Sequence, residues 1–499
     1  MMKANVYLNK RDQIGKIDPR LWGSFTEQLG RSIYEGIYQP DHPLADEDGF
    51  RTDVIEAVKS LNVPLVRYPG GNFVSGYNWE DGIGPRDQRP TRLDLAWRSI
   101  ESNQFGLHEF MKWCQKVGAE PDMAVNLGSR GIDAARNLVE YANFPKGTFW
   151  SDLRRQNGAE EPFNIKVWSL GNEMDGDWQI GHKTAEEYGR LAHETAKAMK
   201  LVDPSIELIA SGSSLRTMTT FGEWEETLLD HVYDDVEYLS LHQYYGNEDN
   251  DLPKFLSSSV DFDGFINDVV AICDAVKARK HSSKTINLSM DEWNVWYHSH
   301  AADDAQKPWQ HAPHLLEDHY NFEDALVVGG LAITLMKHSD RVKIGCLAQL
   351  VNVIAPIMTN AEGTPSIWYQ SIFYPYQQVA KYGQGISLNS QVLVDSYSSG
   401  SNEVPYLDTV SVYNPEQNEI VIFAENKSQD NMQLAVNLNG FELGTIKEAT
   451  QFAGYDIKQT NEDQVMQLET LNDVKVVTDK VQAELQPLSW NMIRVKVNN

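Results

Sequence analysis

Eight short apolar runs recur between residues 21 and 352, and segments with helical periodicity separate them. The runs cover residues 21–28, 65–71, 122–128, 167–173, 206–213, 238–245, 286–294 and 344–352. Segments such as 105–118 and 184–202, which lie between runs, carry apolar residues at helical spacing. Parallel strands need a crossover connection, so strands that alternate with helices favour a parallel sheet. Eight such units predict a (β/α)8 TIM barrel of the α/β class.

The pattern changes after about residue 385. Residues 409–414, 419–428, 432–440 and 490–497 alternate apolar and polar side chains, and Asn, Gly, Pro and Asp fill the turns between them. This pattern is typical of an antiparallel, jelly-roll-like β-sandwich. Residues 4–9 alternate in the same way. We therefore predict an N-terminal segment (1–18) that adds to the sandwich, a catalytic barrel (19–384) and a C-terminal β-sandwich (385–499).

Charge and cysteine content restrict the partners. The formal net charge is −28, from 43 basic and 71 acidic residues, which argues against nucleic acids and anionic membranes as partners. An acidic surface that promotes solubility accounts for most of this charge.

No apolar run approaches the ~18 residues of a membrane span, and residues 1–19 lack the apolar core of a secretory signal, so we predict a cytoplasmic protein. The three cysteines are widely spaced in apolar contexts, which favours buried thiols over disulfides or a metal site, and no cofactor is expected.

Most of the eight runs end in polar residues. These are Glu27, Arg67, Asn126, Asn172 with Glu173, His242 with Tyr244, Asp291 with Glu292, and Gln349. In a parallel barrel the carboxyl ends of all strands open on the same face. The side chains are therefore predicted to converge on one pocket.

Two carboxylates stand out among them, Glu173 on the fourth run and Glu292 on the seventh. Cleaving an acetal requires a proton donor for the leaving oxygen and a second carboxylate that attacks the anomeric carbon or activates water. A separation of about 5 Å would give retention of configuration, and one of about 6.5–9.5 Å would give inversion. Either glutamate alone is also explained as a rim acid paired with Arg or capping a helix. The adjacent Asn172 and the aromatic Trp293 and Trp296 favour a catalytic pair.

Four stretches carry a family resemblance: "GSFTEQLGRSIYEGIY", "RYPGGNFVSGYNWEDGIGP", "WSLGNEMDG" and "DEWNVWY". They resemble the α-L-arabinofuranosidases of glycoside hydrolase family 51, which belong to the clan of retaining (β/α)8-barrel glycosidases. Asn-Glu at the end of the fourth strand is found across the clan, whereas "RYPGGNF" and "DEWNVW" are more specific to the family. The resemblance implies a retaining, exo-acting hydrolase that releases terminal α-L-arabinofuranosyl residues from arabino-oligosaccharides, arabinan or arabinoxylan fragments. It also implies a homohexamer built as a trimer of dimers.

The same resemblance assigns roles to individual residues. Glu173 is expected to be the general acid/base and Glu292 the nucleophile, with Asn172 binding the sugar 2-hydroxyl and Tyr244 positioning the nucleophile. The remaining expected members are Glu27 and Asn72 on the distant hydroxyls, Gln349 as a further sugar contact, Trp97 and Trp296 as apolar walls, and Arg67 and His242 as supporting residues. The negative charge of a nearby Glu292 would raise the pKa of Glu173 and keep it protonated.

Several residues have structural alternatives. Glu27 could pair with Arg31, and Asn72 could be a turn residue. Asp291 should point away from Glu292 on a strand and form an ion pair. Residues 297–320 contain His298, His300, His311, His314 and His319, which suit either a metal site or, as we expect, a polar loop beside the pocket.

Two rival functions also remain. One is β-xylosidase or endo-β-1,4-glucanase activity on the same scaffold. The other is non-catalytic sugar binding by a barrel that has lost its activity.

Overall fold

The computed structural model of the protein describes residues 2–360, 367–462 and 465–498. These residues form 24 strands and 11 α-helices. The strands are β1 (Met2–Lys16), β2 (Gly23–Phe25), β3 (Leu65–Tyr68), β4 (Arg92–Asp94), β5 (Ser99–Glu101), β6 (Glu120–Val125), β7 (Val167–Leu170), β8 (Glu207–Ala210), β9 (Tyr238–Tyr245), β10 (Asn287–Val295), β11 (Val342–Leu347), β12 (Ile357–Thr359), β13 (Ile367–Tyr369), β14 (Ile386–Leu393), β15 (Ser396–Ser399), β16 (Asn402–Pro405), β17 (Leu407–Asn414), β18 (Glu419–Asn426), β19 (Met432–Asn439), β20 (Glu442–Phe452), β21 (Glu469–Thr470), β22 (Val474–Val477), β23 (Lys480–Leu485) and β24 (Ser489–Asn498). The helices are α1 (Thr52–Leu61), α2 (Leu107–Val117), α3 (Ile132–Asn143), α4 (Phe149–Gln156), α5 (Ala185–Val202), α6 (Glu223–Val232), α7 (Leu252–Leu256), α8 (Ser258–Arg279), α9 (His300–Asp304), α10 (Phe322–Lys337) and α11 (Phe373–Tyr382).

Eight parallel strands close into a barrel in the order β2-β3-β6-β7-β8-β9-β10-β11, and β11 pairs with β2 to complete the circle. Each strand lies within or overlaps one of the eight apolar runs, so the predicted (β/α)8 barrel is confirmed. The strands are buried on both faces, as in β7, where all four residues are buried. This double burial explains why the runs are almost continuously apolar.

Local signals set the bounds of the helices around the barrel. Thr184 accepts a hydrogen bond from the backbone N–H of Glu187 and begins α5, and Asn321 caps α10 through Asp324 in the same way. Helix α2 ends at Gly118, whose φ of 81° lies in the left-handed region that glycine adopts without strain. These caps fix where α2 ends and where α5 and α10 begin.

The C-terminal region forms a ten-stranded sheet in the order β21-β20-β24-β18-β17-β14-β1-β19-β23-β22. Strand β1 from the N-terminus lies inside this sheet, antiparallel to β14 and parallel to β19. The predicted sheet domain is confirmed as mostly antiparallel, and the β1–β19 pair is the parallel exception. Strand β1 ends at Lys16 and α11 ends at Tyr382; the boundaries 1–18, 19–384 and 385–499 stay a proposal.

Buried polar contacts join the barrel to the sheet domain. Asp408 on β17 forms ion pairs with Lys337 on α10 and with Lys427, which directly follows β18, and it accepts a hydrogen bond from Ser259 on α8 at 3.0 Å. Trp490 on β24 donates from its indole N–H to Gln378 on α11 at 2.8 Å. The sheet domain is therefore packed directly against helices of the barrel.

The thiols of Cys114, Cys273 and Cys346 are all buried and free, as predicted. Among the described residues, none of the helices is long and apolar enough to cross a membrane.

Candidate active site

A cavity of about 440 Å³ opens at the carboxyl ends of the barrel strands. The predicted site residues that line it are Glu27, Asn72, Trp97, Glu173, Tyr244, Glu292, Trp296 and Gln349. The other three predicted residues, Arg67, Asn172 and His242, are almost fully buried and contact this lining. The polar ends of the strands thus converge on one pocket.

Glu173 and Glu292 face each other closely. One carboxylate oxygen of each and one ring nitrogen of His242 all lie within 4.8 Å of one another. This separation matches the retaining geometry of about 5 Å and is too short for the water molecule that an inverting enzyme places between its carboxylates. The backbone turns through Gly171 (φ 84°) and Glu173 (φ 46°) at the end of β7, and this left-handed turn places the acid in the mouth of the barrel. Such a conformation in a non-glycine residue is costly and is found at functional sites.

Two donors hold the oxygens of Glu292. Arg67 Nη1 donates to Oε1 at 2.7 Å, and the Tyr244 hydroxyl donates to Oε2 at 2.8 Å. Arg67 Nη2 also donates to Asn172 Oδ1 at 2.7 Å, and Asn172 in turn donates to Asn72 at 3.2 Å. The carboxylate of Glu292 is thereby fixed in orientation and its negative charge is compensated.

The acid Glu173 contacts two different partners. His242 Nδ1 lies 3.0 Å from Oε1, and the Trp178 indole N–H donates to Oε2 at 2.6 Å. Burial raises the pKa of Glu173, and the negative charge of Glu292 raises it further. Burial alone would lower the pKa of His242, but the negative charges of Glu292 and Asp291 and the contact with Glu173 raise it to about 10.

Asp291 departs from the expected alternation. The pairing register of β10 shifts between Ser289 and Glu292, as in a β-bulge. Asp291 forms the predicted ion pair, with Oδ2 3.6 Å from Arg67 Nε, and its Oδ1 lies 3.2 Å from His242 Nε2. These are the same two residues that contact Glu292, so the prediction that Asp291 points away from Glu292 was wrong, although Asp291 does not line the cavity.

Glu27 does not pair with Arg31, which instead forms an ion pair with Glu317 at 2.7 Å. Glu27 accepts hydrogen bonds from the Phe73 backbone N–H at 2.8 Å and the Trp97 indole N–H at 3.0 Å. Gln349 donates to its other oxygen at 3.3 Å. Burial raises the pKa of Glu27 to about 8, and the negative charge of Glu292 contributes to this shift.

The turn alternative for Asn72 is compatible with a place in the pocket. Asn72 begins the 3₁₀ turn Asn72–Gly76 and also lines the cavity.

Trp97 lies in the turn between β4 and β5, where Asp94 accepts hydrogen bonds from the backbone N–H groups of Ala96 and Trp97 at 3.0 and 3.2 Å. Trp296 packs edge-on against Tyr244, with ring centroids 5.6 Å apart. Aromatic rings therefore line two sides of the pocket.

The sequence analysis missed several lining residues. Trp178, Leu215, Leu316 and Ile354 line the cavity, and Trp178 also contacts Glu173 directly. Trp178 follows Glu173 by five residues on the same loop. Its closeness in sequence to the predicted acid could have identified it, but only residues at the ends of strands were predicted to line the pocket.

The five histidines of residues 297–320 contact separate neighbours. His298 pairs with Asp324 at 2.7 Å, His314 with Glu317 at 2.9 Å, and His319 with Glu462. His311 contacts Ser102, and the ring of His300 packs against Trp296. Over the described ranges of the chain, the one group of three ligand-type side chains consists of Glu173, His242 and Glu292.

Known proteins match this chain over almost its full length. The family models "α-L-arabinofuranosidase 1 domain" and "α-L-arabinofuranosidase C-terminal domain" match residues 57–254 and 291–489. The chain is 56% identical over 499 residues to the intracellular exo-α-(1→5)-L-arabinofuranosidase 1 of Bacillus subtilis, with 99% of both chains covered. It is 49% identical to the exo-α-(1→6)-L-arabinofuranosidase of Bifidobacterium longum, over 97% of this chain and 95% of that protein.

Solved structures agree with the sequence matches. A family 51 α-L-arabinofuranosidase from Bifidobacterium longum superposes with a TM-score of 0.94 at 42% identity, with 99% of both chains covered. The arabinose complex of an α-L-arabinofuranosidase from Thermotoga maritima gives a TM-score of 0.87 at 32% identity, again with 99% of both chains covered. The chain therefore belongs to the α-L-arabinofuranosidases of glycoside hydrolase family 51.

Proposed function

We propose that this protein is a retaining, exo-acting α-L-arabinofuranosidase that removes terminal α-L-arabinofuranosyl residues from arabinose-containing oligosaccharides. The observation that carries the proposal is the pair of carboxylates, Glu173 and Glu292, with oxygens within 4.8 Å in a cavity at the barrel mouth. The rest of the cavity offers polar groups from Glu27, Asn72 and Gln349, which suit the hydroxyls of a neutral sugar.

In the first half of the reaction Glu292 is the nucleophile. An oxygen of Glu292 bonds to the anomeric carbon while the glycosidic bond breaks, and Glu173 gives its proton to the leaving oxygen. Arg67 and Tyr244 hold Glu292 in line for this attack. Burial and the nearby charge of Glu292 raise the pKa of Glu173, which suits it to hold a proton at neutral pH.

In the second half Glu173 acts as the base. It takes a proton from water, the water oxygen bonds to the anomeric carbon, and the ester bond to Glu292 breaks. The configuration is inverted twice and is therefore retained overall. Each half uses the same two carboxylates, with Glu173 changing from acid to base because the negative charge of Glu292 is lost in the ester.

The other residues bind and orient the sugar. Asn172, held by Arg67, is assigned to the 2-hydroxyl beside the nucleophile. Glu27, Asn72 and Gln349 are assigned to the remaining hydroxyls, and Trp97 and Trp296 form apolar walls that exclude water.

Relatives guide the proposed location and substrate. The relative from Bacillus subtilis is named intracellular and α-(1→5)-specific, whereas the one from Bifidobacterium longum is named α-(1→6)-specific. We place this enzyme in the cytoplasm and expect α-1,5-linked arabino-oligosaccharides to be the first substrates to test. A homohexamer built as a trimer of dimers is part of the proposal, and sedimentation velocity would test it through the mass of the particle.

The rival activities are not favoured, because relatives that cover nearly the whole chain are named α-L-arabinofuranosidases. Side-by-side rates on 4-nitrophenyl α-L-arabinofuranoside, 4-nitrophenyl β-D-xyloside and a soluble β-1,4-glucan would decide among them. A protein that binds arabinose without hydrolysing any of the three would support the sugar-binding alternative.

The central test combines stereochemistry with two variants. Proton NMR of the first minutes of hydrolysis should show the α anomer of arabinofuranose before mutarotation, and the β anomer would contradict retention. Glu292→Ala should abolish turnover on every substrate. Glu173→Ala should lose on the order of 10²–10⁴-fold on natural arabinosides and far less on nitrophenyl arabinosides, whose leaving group needs no proton. Equal losses on both classes would refute the role given to Glu173.

A further inference from the structure

Asp291 is a buried carboxylate that the mechanism above does not use. Its side chain is 1% exposed and is not part of the cavity lining. Its oxygens lie 3.2 Å from His242 Nε2 and 3.6 Å from Arg67 Nε. Both contacts are electrostatic, because neither oxygen has a hydrogen bond of good geometry to any described residue. A buried negative charge with so few partners is costly unless those two cations compensate it.

His242 connects Asp291 to both catalytic glutamates. One ring nitrogen, Nε2, faces Asp291, while the other, Nδ1, lies 3.0 Å from Glu173 and 3.5 Å from Glu292. A carboxylate on one ring nitrogen fixes both the orientation of the imidazole and the nitrogen that faces the reaction. The charge on His242 can therefore act on whichever glutamate is ionised.

The charges of this cluster balance in both halves of the proposed reaction. In the resting enzyme the cations Arg67 and His242 face the anions Asp291 and Glu292, and Glu173 is neutral. In the glycosyl-enzyme the ester removes the charge of Glu292, and Glu173, having given up its proton, carries the negative charge instead. The net charge is zero in both states, and His242 contacts the anion in each.

The loss of charge on Glu292 removes one of the anions that hold a proton on His242. Asp291 is the carboxylate of the cluster that neither bonds to the sugar nor transfers a proton in either half of the reaction. We infer that Asp291 is a positioning residue that keeps His242 oriented and charged in the glycosyl-enzyme, so that Glu173 remains a carboxylate able to take a proton from water. This inference rests on the proposed retaining mechanism and adds a residue with a role in its second half.

The test separates the two halves of the reaction. With 4-nitrophenyl α-L-arabinofuranoside, rapid-mixing kinetics give the first-turnover rate, and steady-state kinetics report the slower step. In Asp291→Asn we expect the first-turnover rate to change less than about threefold, and the steady-state rate to fall on the order of 10–100-fold. A burst of one equivalent of nitrophenol and a glycosyl-enzyme adduct in the intact-protein mass should accompany this fall.

Azide provides a second readout. It bonds to the anomeric carbon as the Glu292 ester breaks and transfers no proton, so it bypasses the base. Azide should therefore accelerate Asp291→Asn, with arabinosyl azide as the product, much more than it accelerates the wild type. The matched control is Glu225→Gln: Glu225 is equally buried, but its hydrogen-bond partners are the backbone N–H groups of Ser213 and Gly222, both at 2.8 Å. This variant should show neither accumulation nor azide acceleration.

Each outcome has one meaning. Equal slowing of both halves in Asp291→Asn, or no azide acceleration, overturns the inference while leaving the proposed function intact. A wild-type protein that does not hydrolyse the arabinofuranoside refutes the proposed function itself. If circular dichroism shows that Asp291→Asn does not fold, Asp291→Ser replaces it, with the same burst and azide acceleration expected and their absence overturning the inference.

Discussion

Replacing Trp178 by Phe tests how the loop after β7 controls the acid. The indole N–H of Trp178 donates to Glu173 Oε2 at 2.6 Å, and the Trp178 side chain is partly exposed, at 46%. A donor to a carboxylate stabilises the ionised form and lowers its pKa. Phe keeps an aromatic wall but has no donor, so we expect the pKa of Glu173 to rise in Trp178→Phe.

The size of the shift follows from the contact. A hydrogen bond to a charged group contributes about 1.5–3 kcal/mol, and leaving such an acceptor partly hydrated recovers some of this. Because Trp178 is half-exposed, water can replace roughly half of the lost interaction, which leaves about 0.75–1.5 kcal/mol. At 1.36 kcal/mol per unit, the pKa of Glu173 should rise by about 0.5–1 unit.

The assay is the pH dependence of kcat/KM on α-1,5-linked arabinobiose, whose sugar leaving group needs the proton of Glu173. The basic limb reports loss of the proton from the acid, so this limb should move to higher pH by about 0.5–1 unit in Trp178→Phe. The matched control is Trp309→Phe, since Trp309 has a similar exposure of 42% and does not line the cavity; its basic limb should not move. A basic limb that stays in place or moves to lower pH in Trp178→Phe would refute the reasoning.

Two further predictions concern stability. Asp408→Asn removes the nearer carboxylate of the buried Lys427 and leaves Glu425, at 4.0 Å, beside it. It should lower the free energy of unfolding in urea at pH 7 by about 3–5 kcal/mol. Removal of the exposed Lys59–Glu56 pair by Glu56→Gln should change this free energy by less than about 0.5 kcal/mol, and equal losses would contradict the prediction. Burial raises the pKa of Glu425 to about 8, so the native state binds the proton more tightly than the unfolded state, and this residue's contribution to stability falls as pH rises from about 4.5 to 8. Glu425→Gln removes that titration. Between pH 5 and pH 8.5 the free energy of unfolding of this variant, measured in the same urea assay, should fall by a few kcal/mol less than that of the wild type. Equal falls in the two proteins would show that Glu425 does not titrate as described.

The barrel was predictable from sequence for a physical reason. Strands of a closed parallel sheet are buried on both faces, so each strand is a nearly continuous apolar run, and its exposed end is marked by polar residues. Glu173 and Glu292 could be identified because both follow such runs. Their separation could not, because it depends on the turn at Gly171 and on the register of β10.

Where the structure differs from what the sequence predicted, the cause is local. Alternation along a strand predicts that Asp291 and Glu292 point in opposite directions, but the register shift in β10 brings both to Arg67 and His242. Trp178 lies in a loop, where no periodic pattern reports direction. The parallel pairing of β1 with β19 joins residues more than 400 positions apart, and alternation of side chains is the same in parallel and antiparallel strands.

The charge state of the pocket fits a neutral, polyhydroxylated ligand. Three carboxyl groups line it, yet burial raises the pKa of Glu27 to about 8 and also raises that of Glu173. Near neutral pH the protonated form of Glu27 is therefore favoured, the pKa of Glu173 is shifted in the same direction, and Glu292 is paired with Arg67. A protonated carboxyl both donates and accepts hydrogen bonds, as a sugar hydroxyl does, whereas a cationic ligand would favour ionised carboxylates. The same burial that raises the pKa of the catalytic acid thus also favours an uncharged substrate.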